Sequence, residues 1–122
     1  MKLWKVLNRQ MNSKNYNLKH KKDNIFIAEV FISKDSPFFD GHFENFKLFP
    51  AIAQIKIAVD MAKEIFNIDF KVNKLSKVKF TNMIYPNTKV DIEGHYLNDS
   101  LTFKIYDNYK KYSEGRANIT LL

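Results

Sequence analysis

One histidine stands in a loop directly before a predicted helix, a position in which an imidazole can act as a base. His42 follows Gly41 in the segment FDGHFENF, and Pro50 opens an apolar run that continues to about residue 66. Histidine titrates near neutral pH, and a helix N-terminus offers unpaired backbone N–H groups that can bind an oxyanion. The positive end of the helix dipole also favours the neutral imidazole. The spacing indicates general-base chemistry, with packing of the loop by His42 as the alternative.

Two polar residues follow early in the same predicted helix. Gln54 and Lys56 lie about 200° apart at about 100° per residue, so Gln54 points into the apolar face and Lys56 falls on a narrow stripe of charges. For Gln54 two interpretations stay open, a contact that orients a substrate or a core amide with a buried partner. For Lys56 the pattern favours a solvated lysine paired with Asp60, four residues further on.

Composition excludes several classes of site. The 122 residues include no cysteine, which rules out disulfides, thiolate zinc sites and cysteine nucleophiles. The three histidines, His20, His42 and His95, lack metal-ligand spacing, and three glycines leave no phosphate-binding loop or dinucleotide fingerprint. We therefore expect neither a metal nor a cofactor. With no apolar run near the roughly 20 residues that span a bilayer and no signal-peptide pattern, the expected location is the cytoplasm.

Hydrophobic periodicity predicts the elements that hold these residues. Residues 25–33 are apolar on both faces, which predicts a strand buried on both sides. Residues 50–66 predict one helix that is wrapped by sheet on several sides. Further strands are predicted at residues 77–84, 90–96, 101–106 and 111–121, as a four-stranded meander with a turn at Pro86 and Asn87.

This order of elements predicts a single α+β domain over residues 1–122, with one long central helix against a curved antiparallel sheet. Residues 1–24 are polar and rich in Asn and Lys, and the sequence assigns them no element. The formal charge of +7 suits an acidic partner or another polyanion. Since only two of the twenty cations are arginine, nucleic acid is the weaker of these partners.

The segment from residue 41 to residue 54 resembles the active-site loop of the hot-dog-fold 3-hydroxyacyl-acyl-carrier-protein dehydratases, in particular their ApeI-like branch. That family carries the pattern G-H-F-P-G-x-P-x-x-P-G-V-x-Q before its central helix. The matching residues at the same spacing are Gly41, His42, Phe43, Pro50 and Gln54. The sequence departs from the pattern at Ala51, where the family has glycine, and at Glu44-Asn45 in place of the first Pro-Gly pair.

The resemblance implies a hot-dog fold and an acyl-thioester site without a cofactor. In the family the histidine removes the α-proton, and an acidic residue two places after the glutamine, on the helix of the partner subunit, protonates the departing hydroxyl. Position 56 is lysine here. The resemblance thus implies His42 as base, Gly41, Phe43, Pro50, Ala51, Gln54 and Lys56 as substrate-binding residues, and a homodimer whose substrate is carried by acyl carrier protein, in fatty-acid or related lipid biosynthesis.

The replacement of the acid by Lys56 leaves two further functions open. One is a non-catalytic protein or partner subunit that binds acyl carrier or acyl thioester, and the other is a thioesterase on the same fold. Because acyl carrier protein is acidic and helical, the positive net charge is consistent with electrostatic steering of this partner. The candidate lysines for that contact are Lys19, Lys21, Lys22, Lys47 and Lys56.

Overall fold

The computed structural model describes residues 16–35 and 51–122, and within these ranges the chain forms six strands and one helix. The elements in chain order are β1 (Tyr16–Lys22), β2 (Ile25–Ile32), α1 (Ala51–Phe66), β3 (Phe70–Phe80), β4 (Thr88–Leu97), β5 (Ser100–Tyr106) and β6 (Lys111–Leu121). The strands build one sheet in the order β1-β2-β4-β5-β6-β3, and every pairing is antiparallel. This arrangement confirms the predicted α+β fold with one helix against an antiparallel sheet.

Alternation along the strands gives the sheet one face toward α1 and one outward face. Leu101, Phe103 and Ile105 of β5 are buried on the helix side, while the residues between them are at least partly exposed. Helix α1 begins and ends almost where the sequence predicts, and ten of its sixteen residues are buried. These ten residues are spread around the whole circumference of the helix, as expected for a helix covered on several sides. In the part of the chain that the structure describes, no helix is long and apolar enough to cross a membrane.

Helix α1 ends in a Schellman motif. Asn67 takes a positive φ of 53°, its N–H donates to the Glu64 carbonyl at 3.3 Å, and the N–H of Ile68 donates to the Lys63 carbonyl at 3.1 Å. Asparagine tolerates this left-handed conformation better than most residues. The turn fixes the point where the chain leaves the helix and enters β3.

Strand β3 differs most from its prediction. It begins at Phe70 instead of residue 77, and it pairs with β6 rather than with β4, so the predicted four-stranded meander is wrong and only β4, β5 and β6 form one. The cause is the segment 81–87. Thr81 N–H donates to the Tyr112 carbonyl at 2.9 Å and Asn87 N–H donates to the Ile32 carbonyl at 2.7 Å, so this segment crosses the sheet end from β6 to β2.

Two other expectations also need correction. Strand β2 is buried on one face only, because Ile25 and Phe31 are exposed on the outward face while Phe26 is buried. The prediction of burial on both sides is therefore wrong for the described part of the chain. Strand β1 was not predicted, because its sequence YNLKHKK is almost entirely polar and shows no apolar alternation.

The contact between Gly94 of β4 and the Phe26 ring of β2 predicts a strong effect of a single methyl group. A Cβ atom at Gly94 would overlap that ring, and the ring is fixed because it is fully buried and packs edge-on against Phe66 at a centroid distance of 5.3 Å. We expect Gly94→Ala to lower the free energy of unfolding by about 1–3 kcal/mol, the usual effect of overpacking a core. Urea titration measures this, and Gly94→Ala/Phe26→Leu, which removes part of the ring volume, should recover some of the loss. An unchanged urea midpoint would contradict the packing.

Candidate functional site

The orientation of α1 defines which end of the sheet holds the candidate site. The Phe66 ring, at the end of the helix, packs against Phe26 at 5.3 Å and against Tyr96 at 6.3 Å, between ring centroids. Phe26 lies near the start of β2 and Tyr96 near the end of β4. The helix is about 24 Å long at about 1.5 Å per residue. Its N-terminus therefore points toward the opposite end, where β2 and β3 end and β4 and β6 begin.

A hydrogen-bonded turn closes this end of the sheet. Asn87 takes a positive φ of 62° and accepts at its side-chain oxygen from the Lys34 N–H at 3.1 Å, and the Thr88 hydroxyl donates to the Tyr85 carbonyl at 2.8 Å. The turn predicted at Pro86 and Asn87 is present. It joins the end of β2 to the start of β4 and so fixes the rim beside the start of α1.

Gln54 is buried in the second turn of α1, as predicted, with 3% of its surface exposed. Its side-chain oxygen, Oε1, has no hydrogen-bond partner among the described residues. A buried acceptor without a donor costs about 1–3 kcal/mol, and such an atom calls for an explanation such as a ligand or a water. A donor group of a substrate or a bound water would each satisfy this acceptor, so the choice between the two interpretations of Gln54 stays a prediction.

Ser113 of β6 is a second buried polar residue, and the sequence did not single it out. Its Oγ also lacks a partner among the described residues, and the residue is 1% exposed. Ser113 pairs with Ile105 and with Phe80, so it lies on the helix side of the sheet near the end that faces the start of α1. In the sequence of β6, the small or apolar residues at 113, 115, 117 and 119 alternate with polar residues. This alternation is the signal that would have identified Ser113 as inward-facing.

Lys56 forms the predicted pair with Asp60, but the pair is buried. Lys56 Nζ donates to Asp60 Oδ1 at 2.7 Å, and the exposed fractions of the two side chains are 0% and 7%. The expectation of a solvated lysine is therefore wrong. Burial raises the pKa of the Asp60 carboxyl above its ordinary value, and the hydrogen bond and charge of Lys56 oppose this shift. The position at which the resemblance implies an acid thus holds a buried cation with its own counter-ion.

Of the other predicted site residues, the structure describes Ala51. Ala51 is the first residue of α1 and is exposed, so its backbone N–H belongs to the unpaired first turn of the helix. Four predicted residues lie outside the described part of the chain, namely Gly41, His42, Phe43 and Pro50. The described structure therefore places Ala51, Gln54 and the Lys56–Asp60 pair on one helix, with Gln54 and Lys56 about 200° apart around it. The role of His42 stays a prediction.

No group of three or more His, Asp or Glu side chains within residues 16–35 and 51–122 is placed to hold a metal ion. The histidines in these ranges, His20 and His95, belong to β1 and β4. His95 is paired with Ile25 and Thr102 on the outward face of the sheet, away from α1. It therefore does not belong to the candidate site.

Several solved structures share this architecture. A chain in "The Dehydratase Heterocomplex ApeI:P from Xenorhabdus doucetiae" has a TM-score of 0.76 and 19% identity, covering 86% of this chain and 97% of that one. An uncharacterized protein from Erwinia carotovora subsp. atroseptica has a TM-score of 0.66 and 22% identity, covering 87% and 91%. A hypothetical thioesterase from Streptococcus pneumoniae TIGR4, solved with coenzyme A, has a TM-score of 0.64 and 8% identity, covering 92% of each chain. These likenesses identify the hot-dog fold.

No curated protein shows significant similarity to the chain. A family model described as ApeI-like, ApeI dehydratase, matches residues 18–116. This match covers most of the chain, including β2, α1, β3, β4, β5 and the first part of β6. The sequence match and the fold agree, and the chain belongs to the ApeI-like dehydratase family.

Proposed function

We propose that the chain is a 3-hydroxyacyl-[acyl-carrier-protein] dehydratase that eliminates water from a 3-hydroxyacyl thioester in fatty-acid or related lipid biosynthesis. The observation that carries the proposal is the family match over residues 18–116, which spans both the histidine loop and α1. Gln54 adds support, because its buried Oε1 is an acceptor without a partner in the described structure, on the helix that begins beside this loop. A hydroxyl or amide N–H of the substrate would satisfy it.

In the proposed reaction the imidazole of His42 removes the proton from the α-carbon of the thioester. The backbone N–H of Ala51 and its neighbours stabilises the enolate oxygen, since these groups have no partner inside the helix. The electron pair of the broken C–H bond forms the double bond, and the hydroxyl on the β-carbon departs with a proton as water. The chain must therefore supply a proton donor as well as a base.

The second candidate function follows from the residue at the position of the proton donor. Lys56 occupies the position of the implied acid, and its ammonium group is bound to Asp60 at 2.7 Å. A buried ion pair is a poorer proton donor than a neutral carboxylic acid, because loss of the proton would leave Asp60 charged and unpaired. The alternative is thus a protein that binds acyl thioesters or acyl carrier without turnover.

We also propose that the chain works as a homodimer, with its site between the two copies. The homodimer is what the resemblance implies, while the heterocomplex ApeI:P of Xenorhabdus doucetiae supports only that a protein of similar fold binds a partner chain. A dimer would place the Lys56–Asp60 pair of one copy near the histidine loop of the other. Light scattering on the purified protein gives the oligomeric state directly.

The test of function uses the purified chain with a 3-hydroxyacyl thioester on acyl carrier protein. Formation of the enoyl thioester, followed by its absorbance and by mass spectrometry, is the expected result. Binding of the acyl carrier without enoyl product would support the non-catalytic alternative. Release of free thiol would identify a thioesterase, and the absence of both binding and turnover would contradict the proposal.

A further inference from the structure

The positive charge of the chain is concentrated on two neighbouring strands. Residues 16–35 and 51–122 contain fifteen Lys or Arg and eleven Asp or Glu. Strands β3 and β6 alone hold six of these cations and one acid, so the rest of the described chain has nine cations and ten acids. The excess of positive charge in the described structure therefore comes entirely from this edge of the sheet.

The register of the strands places most of these cations on the outward face. Lys79 of β3 pairs with Glu114 of β6, which pairs with Lys104 of β5, and Arg116 lies two residues further along β6 on the same face. Lys71 and Lys74 pair with Thr120 and Asn118 on that face. We call this surface the β3 cation face, and its members are Lys71, Lys74, Lys79, Lys104 and Arg116.

The β3 cation face carries more positive charge than the described structure neutralises. All five side chains are exposed, and none of them lies within 4.0 Å of a carboxylate of the described residues. The single acid among them, Glu114, interacts electrostatically with Lys79 and Lys104, but its salt bridge at 2.9 Å is with Lys111. The five cations share this one acid with Lys111 and repel one another, so an acidic partner that binds here relieves this repulsion.

The opposite edge of the sheet is different, although its sequence is equally rich in lysine. Lys19 of β1 is bound to Asp91 at 3.1 Å, and Lys89 of β4 lies 3.8 Å from Glu29. Of the lysines that the sequence suggested for a carrier contact, Lys19 is therefore paired, Lys56 is buried, and Lys21 and Lys22 are exposed. Lys47 lies outside the described residues. Among the described residues, the largest group of exposed cations without a salt bridge therefore lies at the β3 edge and not at the β1 edge, where the sequence suggested it.

We propose that the β3 cation face is the docking surface for an acidic helix of the carrier protein that delivers the acyl thioester. This inference rests on the proposed function. From Lys71 to Lys79 the face is about 20 Å long, because their partners Thr120 and Glu114 are six residues apart on β6 at about 3.3 Å per residue. This is the length of a helix of about 13 residues. Lys79 lies at the end of β3 toward which the N-terminus of α1 points. The acyl group of a carrier that docks here would therefore reach the candidate site by passing around this end of the sheet.

A protein helix fits this face better than a nucleic acid does. The face has only one arginine, the residue that binds phosphates with two parallel hydrogen bonds, among its five cations. The outward positions of β3 and β6 carry no aromatic ring on which a base would stack. Lysines at a sheet edge also prevent edge-to-edge aggregation, and the experiment must separate this role from docking.

The test compares Lys74→Glu/Lys79→Glu with Lys21→Glu/Lys22→Glu, which makes the same charge change on the two exposed lysines of β1 that the sequence suggested for the carrier contact and that this proposal excludes from it. Each protein is assayed with the 3-hydroxyacyl group on acyl carrier protein and on free pantetheine. We expect the first variant to lose about tenfold or more in kcat/KM for the carrier substrate, through KM, and to keep its rate on the pantetheine substrate. The second variant should stay within about twofold of the wild type on both substrates.

Affinity for acyl carrier protein, measured by calorimetry, keeps the docking test independent of turnover. If neither substrate is dehydrated but Lys74→Glu/Lys79→Glu still loses carrier affinity about tenfold, docking stands and the proposed reaction fails. Equal losses in both variants would overturn the docking surface. Retained carrier affinity with new self-association of Lys74→Glu/Lys79→Glu would assign the lysines to edge protection alone. Tighter binding of a double-stranded DNA fragment than of the carrier, lost in that variant, would assign the face to nucleic acid.

Discussion

We expect replacement of His42 by alanine to abolish dehydration of a 3-hydroxyacyl thioester while the chain stays folded. Removal of a general base typically costs about 10²–10⁴-fold in rate, and we expect a loss of that size in kcat/KM for His42→Ala. Because the sequence predicts His42 in a loop before α1, we expect the substitution to change the free energy of unfolding by about 0.5 kcal/mol or less. Initial rates of enoyl formation and a urea titration measure the two quantities on the same preparation.

His95→Ala is the matched control for this experiment. It removes an imidazole from the outward face of β4, away from α1, and should leave the rate of dehydration unchanged. A His42→Ala variant that dehydrates at the wild-type rate would exclude His42 as the base. Loss of activity in both variants would instead point to a general effect on the protein.

Replacing Lys56 by methionine should destabilise the fold strongly, although methionine is apolar and similar in length. The substitution leaves the Asp60 carboxylate 7% exposed and without the cation that now lies 2.7 Å away. Breaking a buried ion pair by removing one partner costs about 3–5 kcal/mol. Asp60→Asn, which removes the carboxylate charge 2.7 Å from the ammonium group, should also lower the free energy of unfolding. The free energies of unfolding come from urea titration at pH 7.

The pH dependence of the Lys56→Met variant provides a second readout. Burial already raises the pKa of Asp60, and the loss of Lys56 should raise that pKa further, since Lys63 is then the other cation that acts on the carboxyl while Glu64 opposes it. A raised pKa in the folded state means that stability is lost as the pH rises through that value. The deficit of Lys56→Met should therefore be small near pH 4 and largest above neutral pH.

The double variant Lys56→Met/Asp60→Leu is the control for the pair. Replacing both charges by apolar groups removes the unpaired charge, so its stability should return to within about 1–2 kcal/mol of the wild type or exceed it. If Lys56→Met alone is as stable as the wild type at pH 8, the pair is not buried in solution.

Gln54 and Lys56 show how far the sequence alone determines the site. Helical geometry correctly predicts that Gln54 is buried and that Lys56 pairs with Asp60, because both follow from angles around one helix. The exposure of Lys56 cannot be predicted in this way. A stripe of charges is usually solvated, and whether other parts of the chain cover it depends on contacts that helical periodicity does not encode.

The strands show the same limit on a larger scale. Alternation predicts β4, β5 and β6 to within a few residues, and the short turns between them determine their pairing. It does not predict that β3 pairs with β6, since the two are separated by β4, β5 and the segment 81–87. Such non-local pairing is fixed by the whole sheet, and a polar strand such as β1 is recognised only once its neighbour β2 is in place.

The burial of Lys56 and Asp60 also restricts how sequences of this family can change over time. A chain that carries the implied acid at position 56 cannot be reached from this one in a single benign step, because Lys56→Glu would put two carboxylates one helical turn apart in a buried position. Asp60 would have to change before Lys56 or together with it. If Asp60 changes first, the intermediate chain has lost the carboxylate that lies 2.7 Å from the buried Lys56. Lineages with a lysine at this position are therefore expected to retain the acid four residues later, or to have exchanged both residues together.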